Sequence, residues 1–152
     1  MRPVFLTDPA GIPSDCDLLV VAGPRTPFHK SEVSAIASYL KEHRSFLLLL
    51  DAGQKCGLEP LLMEWGIALP ENQADYPMDQ DLSARIIAGH PITDGLADMT
   101  MIFNSPRQVV PIEAAGTTAN GYDGKPKLEV LAAGISARAT IVPFAAAVER
   151  GP

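Results

Sequence analysis

Two short aliphatic runs with a helical face between them constrain this chain more than anything else in its sequence. Asp17-Leu18-Leu19-Val20-Val21-Ala22 is apolar without alternation, the pattern of a strand buried on both faces. Gly23-Pro24 ends it. Phe46-Leu47-Leu48-Leu49-Leu50-Asp51 is a second such run, and its length and flanks favour strand over helix. Between them, Ser31 to His43 carries Val33, Ile36, Ala37 and Leu40 at i, i+3, i+4 and i+7, with Glu32 suited to the positive first turn. After Asp51 comes the loop Ala52-Gly53-Gln54-Lys55-Cys56-Gly57. The next helical face holds Leu58, Leu61, Leu62 and Trp65, with Pro60 in its first turn and Gly66 as its stop. Strand, helix, strand, helix with short connections predicts an α/β fold with a parallel sheet covered by helices. Val4-Phe5-Leu6-Thr7 is a further candidate strand. The expected core is Leu18, Val20, Val21, Ile36, Leu40, Leu47, Leu49, Leu61, Leu62 and Trp65.

The second half has another rhythm. A polar stretch from Pro70 to Asp81 precedes strand-like runs at Ala84–Ile87, Met101–Phe103, Gln108–Ile112, Lys127–Leu131 and Ala139–Val148. Asn120-Gly121 and Asp123-Gly124 are turn signals between two of them. The expectation is one α/β domain over 1–152, with an α/β part to about residue 98 and a β-rich part over 99–152. Its core is expected to be a three-layer parallel sheet of the flavodoxin or amidotransferase kind.

Charge narrows the partners. The chain has 152 residues and a formal charge of −6, and its basic residues are scattered. Neither a nucleic-acid backbone nor an anionic membrane surface is an expected partner. No run reaches the roughly 18 apolar residues of a membrane helix, and the first residues lack the apolar core of a signal peptide. Two cysteines, Cys16 and Cys56, make neither a disulfide framework nor a zinc spacing.

The order of motifs resembles the extracytoplasmic domain of gliding-motility-type ABC transporter auxiliary proteins. The resemblance runs from Ile12-Pro13-Ser14-Asp15-Cys16 through Gly23-Pro24, Pro27-Phe28, Glu32-Val33, Tyr39-Leu40 and Leu50-Asp51. It continues with Gly57-Leu58-Glu59-Pro60-Leu61-Leu62, Glu64-Trp65-Gly66-Ile67, His90-Pro91-Ile92-Thr93 and Pro143 to Glu149. That family is similar in fold to a domain of an intraflagellar transport component and, more distantly, to class I glutamine amidotransferases. His29 departs from it, standing where a helix-capping serine is usual. The resemblance implies a piece of a longer, membrane-anchored protein on the periplasmic side. It also implies contacts with subunits of an ABC transporter complex and no cofactor.

Several residues are candidates for function. The loop at Gly23 and Arg25 leaves the carboxyl end of the first strand, and Asp51 ends the second. Ligands of open parallel sheets settle there, and Arg25 suits a small anion. The alternative is a proline-stiffened turn with Arg25 in water. His90, held extended by Pro91, is a further binding candidate, set against a role in pinning its own loop. Cys56 with His90 as its base would make an amidotransferase-like or hydrolase-like site, although Cys56 lacks the strand-to-helix elbow of such enzymes. Asp75, Asp79 and Asp81 resemble a calcium loop without its glycine and final glutamate, and are expected to be solvated. No dinucleotide or phosphate-loop motif occurs. The leading expectation is a non-catalytic auxiliary binding domain of an ABC-type transport system. The cysteine enzyme and a purely structural assembly domain stand as alternatives.

Overall fold

The computed structural model describes residues 1–8, 11–70, 81–87, 89–96, 99–104, 107–112, 127–135 and 141–149. Asp75, Asp79 and the Asn120-Gly121 and Asp123-Gly124 turns lie outside these residues. The chain divides into two compact units, Met1–Leu50 with Gln54–Leu61, and Asp51–Gly53 with Leu62–Pro152.

In the first unit the two aliphatic runs become β1 (Leu18–Ala22) and β2 (Ser45–Leu49), which pair in parallel with Leu18 opposite Ser45 and Ala22 opposite Leu49. The crossover between them contains α1 (Lys30–Lys41). Its phenolic anchor is Tyr39, whose hydroxyl donates to the carbonyls of Cys16 (3.2 Å) and Ser45 (2.9 Å), at the starts of both strands. Arg44 braces the same corner, with its guanidinium 5.6 Å from the Tyr39 ring centroid and donating to the carbonyls of Pro13 and Cys16. Arg2 and Asp15 form an ion pair nearby in sequence.

Burial separates the faces of this strand pair. Leu19 and Val21 are buried, and Phe46 and Leu48 are half-buried. On the opposite face Leu18, Leu47 and Leu49 are exposed, at 52%, 43% and 51%. Three of the expected core leucines are therefore on the surface. The aliphatic runs are not buried on both faces, because a single crossover helix supplies one apolar layer. Ile36, Tyr39, Cys56, Leu58 and Leu61 complete the buried side. Residues 4–7 form no strand.

After β2, α2 (Glu59–Glu64) is only 6 residues long. It leads into β3 (Ile67–Ala68), which pairs antiparallel with β6 (Val110–Pro111). The second unit also holds a four-stranded antiparallel sheet of β4 (Asp81–Ile86), β5 (Thr100–Asn104), β7 (Lys127–Ile135) and β8 (Ile141–Glu149), in the order β5-β4-β7-β8. The expected three-layer parallel core is thus overturned: the only parallel pairing among the described residues is β1 with β2, and the remaining sheets are antiparallel. A parallel neighbour needs a crossover of a dozen or more residues, and the connection from Ile135 at the end of β7 to Ile141 at the start of β8 is far shorter.

Ala84, Ile86, Leu131, Ala132 and Val142 are buried. Gly134 leaves room for the Phe144 ring, which would lie 2.9 Å from a Cβ added there, with the Ser83 carbonyl at 3.2 Å. Phe144 and Phe103 meet as tilted rings with centroids 6.2 Å apart. The β7–β8 register slips between Val130 and Ala133, a bulge where the strands bend. Pro143 sits on β8 at the end of the strand order, and its carbonyl accepts from the amide of Val109.

Candidate functional site

The loop from Gln54 to Leu58 and the start of α2 form the most chemically suggestive part of the first unit. Gly57 has φ +80°, and a Cβ there would sit 3.1 Å from the Phe28 carbonyl and 3.2 Å from its nitrogen. The loop closes against Phe28, whose amide donates to the Cys56 carbonyl at 2.8 Å. This brings Cys56 fully inside, at 0% exposure. Glu59, the first residue of α2, reaches back and accepts from the Cys56 amide at 2.9 Å. The Cys56 Sγ lies 3.7 Å from the same carboxylate oxygen.

These contacts oppose catalysis. Burial pushes the Cys56 thiol up from its ordinary value, outweighing the amide of Leu58, and the neighbouring Glu59 carboxylate pushes it further. For Glu59, burial acts upward. The amides of Glu59, Cys56 and Gly57 and the Cys56 thiol outweigh it and hold the carboxyl below its usual range. A nucleophilic cysteine needs a cation or a neutral base beside it, whereas Cys56 has an anion.

The other predicted site residues are dispersed. Gly23 has φ +54°, and its amide is committed to the Leu49 carbonyl at 2.9 Å, extending the β1–β2 ladder by one bond. Arg25 is exposed and has no partner among the described residues. Gly23 and Arg25 belong to the first unit, Asp51 and His90 to the second. Asp51 is exposed. His90 is 9% exposed, and its Nδ1 accepts from the Ile92 amide at 3.1 Å. Thr93, also buried, donates its hydroxyl to the carbonyls of Ile87 and His90, both at 3.0 Å. The His-Pro-Ile-Thr motif thus makes a local turn that runs into a short 3-10 helix at Asp94–Leu96.

His29, which stands where the resembled family has a capping serine, takes that role itself. It occupies the N-cap of α1 in an extended conformation; its Nδ1 faces the Ser31 amide at 3.5 Å, and its own amide donates to Glu32 at 2.7 Å. The imidazole does what a capping serine would do, and Glu32 three residues on was the signal. A small cleft of about 160 Å³ is lined by Gly11, Ile12, Ala35, Ser38, Tyr39 and Glu42. Ligand pockets for drug-sized molecules begin near roughly 300 Å³. Among the described residues no group of three or more His, Cys, Asp and Glu could hold a metal ion. No described helix is long and apolar enough to cross a membrane.

No protein-family model matches the chain, and no curated protein is significantly similar to it in sequence. Among solved structures, the mmIFT52 N-terminal domain is similar in fold, with a TM-score of 0.53 and 17% sequence identity. The similarity covers 78% of this chain and 55% of that one, so the chain spans little more than half of its structural neighbour.

Proposed function

We propose that this chain is a non-catalytic, partner-binding domain, and that its setting is an ABC-type transport assembly. The observation that carries the binding role is the open aliphatic face of the β1–β2 pair, with Leu18, Leu47 and Leu49 each about half exposed. Parallel strands are ordinarily covered on both faces, usually by helices. An amphipathic helix of a transport subunit, presenting an apolar stripe to this face, is the occupant that fits. The transport setting is supported by the ordered motif resemblance from Ile12 to Glu149, and the assembly role by the fold likeness to an intraflagellar transport domain. The burial of Cys56 and its anionic neighbour argue against the cysteine-enzyme alternative.

The test is a double substitution on the open face, Leu47→Lys with Leu49→Lys, in the protein co-expressed with the membrane and ATP-binding subunits of an ABC-type transporter from the same source. The expected result is a melting temperature within a few degrees of the parent, together with loss of co-purification of those subunits. Undiminished co-purification would remove the face from the proposal. Cys56→Ser is expected to leave association intact.

A further inference from the structure

We propose that His90 is a pH-sensitive latch, in which the neutral imidazole pins the 90–96 turn and proton uptake releases it. The inference is independent of the transport reading and rests on which atom of the ring is used. Nδ1 accepts the Ile92 amide at 3.1 Å, so in the latched state Nδ1 carries a lone pair and the ring proton is on Nε2. A second proton would go to Nδ1 itself. One event then deletes the acceptor and sets two N–H donors against each other.

The turn is built so that this bond matters. The His90 carbonyl already accepts from the amides of Thr93 (2.8 Å) and Asp94 (3.1 Å). The single hydroxyl proton of Thr93 is shared between the carbonyls of His90 and Ile87, the residue following β4. Glu129, on β7, lies within electrostatic reach of the ring and is itself paired with Lys127; Asp94 is part of the turn and exposed. Release would loosen a segment carrying Ile92 and Leu96, which are 64% and 37% exposed. His29 offers an internal comparison. It faces the amide two residues on in the same way, but at 3.5 Å and in an exposed position, where water can replace the acceptor.

Amide hydrogen exchange at Ile92, Thr93 and Asp94, corrected for intrinsic rates, tests the latch across pH 7.5 to 5.5, within the range where imidazoles titrate. Protection in the parent protein is expected to fall about tenfold over that span, the size of one lost hydrogen bond that leaves its donor unpaired. In His90→Asn, the Oδ1 atom supplies a similar acceptor that does not titrate, so protection should be equal at both pH values. Equal protection in the parent at both pH values, or the same fall in His90→Asn, would overturn the proposal. Should His90→Asn fail to fold, nitrogen NMR of the parent decides it. An Nε2–H tautomer at pH 7.5 supports the latch, and an Nδ1–H tautomer contradicts it.

Discussion

Glu59 shows how one side chain can set the chemistry of its surroundings without being a catalytic group. By accepting the Cys56 amide it fixes the loop that Gly57 closes, and its charge adds to burial in pushing the thiol up. Native Cys56 is therefore expected to react with iodoacetamide at pH 8 at least roughly tenfold more slowly than in the unfolded chain, because both burial and the carboxylate disfavour the thiolate. Equal rates in the two states would contradict the buried assignment. Glu59→Ala should cost about 1 kcal/mol at pH 7, the usual scale of a lost hydrogen bond. The sign with pH follows from its lowered carboxyl. The contribution of Glu59 is present above the ordinary carboxylate value, near about 4.3, and is lost as pH falls through its lower folded value. Denaturant unfolding of parent and variant should accordingly converge as pH falls below the ordinary carboxylate range. At this scale the sequence was readable only in part. The missing elbow before Cys56 was visible, whereas the Nδ1 roles of His29 and His90 depend on backbone geometry that no spacing reveals.

Among the elements, the β1–β2 pair divides cleanly by face, and that division is measurable. Leu19→Ala should cost about 2–5 kcal/mol, the range for an aliphatic residue in a packed core. Leu49→Ala, expected from sequence alone to cost as much, should cost less than about 1 kcal/mol, since half of its surface already meets water. Equal costs in denaturant unfolding would mean that both faces are covered. In the antiparallel sheet, Gly134→Ala must displace the Phe144 ring, and about 1–3 kcal/mol of overpacking is expected from thermal unfolding. Strands and helices of the first unit were legible because aliphatic runs and a 3.6-residue period mark them directly. Their covering was not. An unbroken run such as Leu47–Leu50 reads the same whether one face or both are buried, and only the count of helical layers distinguishes them. Strand β3, of 2 residues, is too short to leave any periodic trace.

For the molecule as a whole, the partition into two units and the likeness to the mmIFT52 N-terminal domain describe a mixed α/β chain in which antiparallel pairing dominates. Strand order was beyond the sequence because short strands after Ile67 carry no record of which neighbour they join, and the choice is made by turn lengths and by Gly134, Phe144 and Phe103 packing across strands. The acidic balance of −6 without a basic cluster directs attention away from nucleic acid and towards apolar contacts. The central claim is that the Leu18, Leu47 and Leu49 face is where this domain meets a transport subunit. A photo-crosslinking residue placed at position 47 of the full-length protein, with illumination of intact cells, tests it most directly. An adduct with a membrane or ATP-binding transport subunit is expected at position 47, and none at the exposed position 31 of α1. No adduct at 47, or the same adduct at both positions, would contradict it.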